Sequence, residues 1–171
     1  MLNGFFMSRV IIIGYGNIDR GDDGAACAII NLLRGKWGIA PLENFDTGMD
    51  ALGRGADSVF ISQLLPEIME TLTDYDKVVF VDAHVGDDPT EIRCDRVAPE
   101  YAHTIFTHHM TPAVLLAFLK TLYNREPEAY LVSVRGYDFD FKQGLSSRTQ
   151  SLLPAAVDRI LQTISGETVS Q

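Results

Sequence analysis

The chain has 171 residues, 46% of them hydrophobic and 22% charged, which suits one globular domain with a sizeable core and excludes a disordered chain. Its formal net charge is -9, and an acidic surface repels phosphate backbones and anionic lipid, so neither nucleic acid nor a membrane surface is an expected partner. Cys27 and Cys94 stand far apart without CxxC spacing, neither a disulfide framework nor a thiolate metal site, as suits a reducing compartment. The early apolar run Val10 to Gly14 is too short to span a bilayer. Met1 to Ser8 has no basic cluster and no small-residue cleavage site, so the expected location is the cytoplasm.

Val10 to Gly14 is a continuous β-branched run ending in glycine, which predicts a strand buried on both faces of a parallel sheet. After a glycine-rich turn, Asp22 is placed to cap a helix with the stripe Ala26, Ile29, Ile30, Leu33. Residues 35–57 have no firm period and read either as a long surface loop or as a loop holding a short strand at Leu42 to Phe45. Ser58 to Ser62 predicts a second strand, followed by a helix with Pro66 near its first turn and Leu65, Ile68, Met69 and Leu72 on one face. Val78 to Ala83 is the clearest strand, and Glu91 to Val97 alternates as an exposed edge strand does. Thr111-Pro112 opens a helix in cap-then-proline order, with Val114, Leu115, Phe118, Leu119 and Leu122 expected inside. Ala129 to Val134 predicts another strand. The last helix carries Leu153, Ala156, Val157, Ile160, Leu161 and Ile164, and Pro154 is a candidate kink. Strands alternating with helices predict an α/β fold, a three-layer α/β/α sandwich around a mostly parallel twisted sheet of about five strands. Residues 8–165 form the expected single domain, with 1–7 and 166–171 as terminal extensions.

In such sheets a site forms beyond the carboxyl ends of the strands. Three groups fall there: the loop Gly14 to Gly24, Asp82 at the end of its strand, and Thr107-His108-His109 before the Thr111 helix. The loop has Gly14-x-Gly16 but lacks the third glycine of a dinucleotide fingerprint. Its Asp22 and Asp23 occupy the place a pyrophosphate would need. Asp22 reads as a helix cap, and Asp23 as available for chemistry. Asp82 ends an apolar strand, where an unpaired carboxylate is costly unless a cation or strong donors face it. His84 and His103 read as inert surface histidines. Two carboxylates and an imidazole from the His108-His109 pair make an incomplete shell for a divalent metal such as Ni²⁺ or Zn²⁺.

At these residues the chain resembles the maturation proteases of [NiFe] hydrogenases. The similarity is carried by Gly16-Asn17-x-x-Arg20-Gly21-Asp22-Asp23-Gly24, Gln63-Leu64-x-Pro66-Glu67, Val81-Asp82-Ala83, and Thr107-His108 before a leucine-rich helix. It implies an endopeptidase that removes a C-terminal peptide from the nickel-loaded large-subunit precursor. It further implies a metal triad of Asp23, Asp82 and His108, with His108 preferred to His109 by its interval to Leu115-Leu116. The implied nickel is carried by the substrate, and other divalent metals would substitute. Two departures stand out: Asp19 where that family has an apolar residue, and a long 35–57 stretch. No Ser-His-Asp order, reactive cysteine or HExxH helix is visible. The expected chemistry is therefore a metal that polarises the scissile carbonyl or activates water, with Asp82 or Asp23 assisting proton transfer. The competing readings are a general metallopeptidase and a nickel-binding assembly chaperone that cleaves nothing.

Overall fold

A computed structural model describes residues 8–44, 46–53, 55–86, 89–101 and 110–166. Five strands form one sheet in the order β2-β1-β3-β5-β4: β1 (Val10–Tyr15), β2 (Ala56–Ile61), β3 (Lys77–His84), β4 (Ile92–Arg96) and β5 (Glu128–Arg135). The first four in that order are parallel, and β4 closes one edge antiparallel to β5.

The β-branched runs fill the centre of the sheet because helices cover both faces. On one face α1 (Ala25–Lys36) and α4 (Ser147–Ser165) pack over Ile12, Val79, Val81 and Val132. On the other, α2 (Ile68–Leu72) and α3 (Pro112–Tyr123) pack over Ile11, Ile13, Val78 and Phe80. Thr111 and Ser146 cap α3 and α4, their hydroxyls accepting from Val114 N–H at 3.3 Å and Thr149 N–H at 3.3 Å. The sandwich expected from the sequence is thus present, and α4 runs on through Pro154.

Two helix faces differ from expectation. The buried side of α3 is Leu115, Leu116 and Leu119, whereas Phe118 and Leu122 are exposed. Leu65 precedes a helix that begins only at Ile68, and it also faces outward. Between α1 and β2 the described residues contain no strand, only a 3-10 turn, Met49–Ala51. Leu42 is buried there and anchored by the Asn31 side chain, whose Oδ1 accepts from Leu42 N–H at 2.8 Å. No helix among the described residues is long and apolar enough to cross a membrane.

Candidate active site

Strand parity assembles the centre of the site. Ile11 and Ile13 face the α2/α3 layer, so Tyr15 follows them; Val78 and Phe80 do the same, so Asp82 follows. The parallel register sets Gly14 beside Val81, which brings Tyr15 and Asp82 together one step further on. The order of the sheet reverses between β1 and β3, and the crevice at such a reversal is where α/β sheets bind ligands.

The Tyr15 hydroxyl hydrogen-bonds to Asp82, and Ala83 N–H donates to Asp82 Oδ1 at 2.7 Å. Burial pushes the Asp82 carboxyl up from 3.8 to about 6, against those two hydrogen bonds and with help from the Asp23 charge. Burial, followed by the charge of Asp82, holds the Tyr15 hydroxyl far above the usual tyrosine range, so it remains a proton donor.

Asp23 arrives from a 3-10 turn, Gly21–Gly24, between β1 and α1. Its Oδ2 accepts from Asn17 N–H at 2.8 Å. This closure requires Gly16, whose φ is +146° and whose place leaves no room for a Cβ, which would sit 2.2 Å from Asp23 O. Asp23 is thereby held where its charge acts on Asp82. Among the described residues no group of three His, Cys, Asp or Glu side chains is placed to hold a metal. The third expected member, His108, lies outside the described residues, as do His109 and His103.

Asp22 does something different from capping. No side chain caps the start of either the 3-10 turn or α1. Asp22 is instead fully buried and gathers the turn after β5. It accepts from Tyr137 N–H at 2.8 Å, Asp138 N–H at 2.9 Å and Ser146 N–H at 2.7 Å. The hydroxyls of Ser146 and Thr149 add bonds of 2.7 and 2.8 Å. Burial alone would raise its pKa, but these donors outweigh burial and hold it below the usual carboxylate value. The adjacent Asp19 is exposed and turned toward that same turn, its Oδ1 accepting from Gln143 Nε2 at 2.8 Å.

His84 is a brace rather than an idle surface residue. Its Nε2 lies 2.9 Å from Thr90 O and its Nδ1 2.8 Å from Ser133 Oγ. A carbonyl only accepts, so Nε2 donates to Thr90 O, while Nδ1 shares the second bond with the buried Ser133 hydroxyl. Ser133 is the rung partner of Asp82, so this brace fixes the strand end that carries Asp82. Sequence reading missed Tyr15, Ser133 and His84; the odd-even parity shared by Ile13 with Tyr15 and by Phe80 with Asp82 and His84 was the available signal.

No protein-family profile matches the chain. A protein of Methanocaldococcus jannaschii, provisionally named a hydrogenase maturation protease, is 30% identical over 166 residues, covering 92% of this chain and 95% of that one. The hydrogenase maturating endopeptidase HybD of E. coli superposes with a TM-score of 0.68 at 16% identity, over 92% of this chain and 93% of its own. The [NiFe] hydrogenase maturation protease HycI of Thermococcus kodakarensis gives 0.65 at 15% identity, over 92% and 93%.

Proposed function

The chain belongs to the hydrogenase maturation protease family, and from that premise we propose that it removes a C-terminal peptide from the nickel-loaded large-subunit precursor of a [NiFe] hydrogenase. The observation that supports this most is Asp82 at the end of β3, beside the β1/β3 switch point, with the charge of Asp23 acting on it. Two carboxylates and the His108 imidazole form an oxygen- and nitrogen-rich, thiolate-free donor set. Such a set holds nickel weakly by itself. It suits an ion that arrives already bound to the substrate, and makes cleavage a check on completed insertion.

In this reading Asp23, Asp82 and His108 are the ligands offered to the substrate's nickel. Proton transfer falls to Asp82. The Asp82 oxygen not engaged by the metal accepts a proton from the attacking water and returns it to the leaving amine. Tyr15 holds that carboxyl in place through its hydroxyl.

The test is mass spectrometry of nickel-loaded and nickel-free precursor after incubation with the protein, alongside the nickel content of the protein purified without added metal. Loss of a C-terminal peptide from the loaded form alone, by a nickel-poor protein, is the expected outcome. An unchanged mass would point to an assembly factor, and turnover of unrelated peptides to a general metallopeptidase. Stoichiometric nickel in the isolated protein with equal cleavage of both forms would make the ion an ordinary cofactor.

A further inference from the structure

The Gln63 to Glu67 segment plays no part in the carboxylate pair, yet it borders a groove whose far end lies at Asn17, the residue bonded to Asp23. A hollow of about 240 Å³ lies between the Gly16–Asp19 loop and the end of β2, walled by Asn17, Asp46, Thr47 and Ile61. A second hollow, of about 330 Å³, shares Thr47, Ile61 and Ser62 with the first and adds Met49, Leu65 and Ile68. The two hollows adjoin along the three shared residues. The inner end of this groove is formed by Gly16 and Asn17, the residues packed against and bonded to Asp23.

Two properties define what fits. The outer half is apolar, and Leu65, 44% exposed although the sequence pattern places it inside, forms part of its wall. The charged residues along the groove are Asp19, Asp46 and Glu67, and no Lys or Arg among the described residues lines it. An acidic segment would be repelled from such a groove, whereas a neutral or basic one would not.

We infer that this groove takes the extended segment of the substrate polypeptide next to the bond that is cut, seating one apolar side chain against Met49, Ile61 and Leu65 and rejecting acidic neighbours. The inference rests on the peptidase reading, which supplies the chain that must pass Asp23. The adjacency of its inner end to Asp23, through Asn17, selects that occupant.

The test uses the nickel-loaded large-subunit precursor from the same source, with two variants and a readout independent of cleavage. Leu65→Asp alters an exposed position, and Asp46→Asn removes a charge while keeping an acceptor for the Gly48 N–H now bonded to Asp46 Oδ1 at 2.9 Å. For Leu65→Asp the KM for tail removal rises about tenfold, the loss of one apolar contact, with kcat little changed and circular dichroism unaltered. For Asp46→Asn a precursor with a glutamate added beside the cleavage point is processed about tenfold better, relative to the natural tail, than by the parent protein. Amide hydrogen exchange shows the precursor protecting residues 60–68. Protection there without tail loss would leave the groove standing and overturn the peptidase reading. Tail removal with an unchanged KM in Leu65→Asp, protection only elsewhere, or a homodimer that Leu65→Asp dissolves would overturn the groove assignment.

Discussion

Replacing Asp82 with Asn should make the protein more stable and inactive at once. Asp82 has a folded-state pKa of about 6 against an ordinary 3.8, so the native fold disfavours the charged form. The folded chain holds the extra proton between those two values. Stability therefore falls as pH rises through that window, and the penalty is fully present above it. A shift of this size corresponds to roughly 3 kcal/mol; partial access to water at the strand end reduces the expected gain to about 1–2 kcal/mol. Asn is neutral at every pH and still accepts from the Ala83 N–H. For a chain of this length the gain corresponds to a rise in Tm of about 2–8 °C. Thermal unfolding of both proteins at pH 4 and pH 7.5 measures it, with the difference near zero at the lower pH. A lower Tm for the variant at pH 7.5, or a difference that does not depend on pH, would refute the electrostatic account of Asp82.

Asp22→Ala strands buried donors of the turn after β5 and should cost about 3–5 kcal/mol in urea unfolding; a loss under 1 kcal/mol would show that the turn does not depend on it. Tyr15→Phe removes a hydrogen bond that lowers the Asp82 pKa, so carbon-13 NMR titration should find that carboxyl above about 6, and a fall would contradict the pairing. His108→Ala should abolish precursor processing with the fold intact by circular dichroism, while His109→Ala is milder. Equal loss in the two histidine variants would remove the distinction between them.

The strands that carry the site were legible because burial on both faces writes itself as β-branched runs: Val10 to Ile13 and Val78 to Val81 are buried throughout. Asp82 was singled out for a related reason, since a carboxylate at the end of such a run has to face something, and Asp23 because two acidic residues crowd a helix mouth where one would serve as cap. Asp22 was misread because a cap and a long-range acceptor look alike locally, and its partners lie 115 to 127 residues away. The α3 face was misjudged by one helical position. Its composition is apolar nearly all round, so the period does not say which stripe meets the sheet. Tyr15 was overlooked for want of register. Parity placed it on the right face, but its contact with Asp82 appears only once β1 and β3 are aligned.

The bonds from Asp22 to residues 137–149 bear on when the site comes into being. Asp22 adjoins Asp23, and the backbone of the same turn is tied to the far loop as well, with Gly21 N–H donating to Lys142 O and Asp22 N–H to Asp138 O, both at 2.8 Å. Contacts so distant in sequence form late, after the intervening chain has closed into a sheet. During synthesis the first strand and its loop are made early, but their anchor does not exist until Ser146 and Thr149 have left the ribosome. A nascent or truncated chain ending before those residues has Asp23 and Asp82 in its sequence but only the local bond from Asn17 N–H to Asp23, without the far anchor of the turn. The turn beside Asp23 is thus completed only by the chain's last helix.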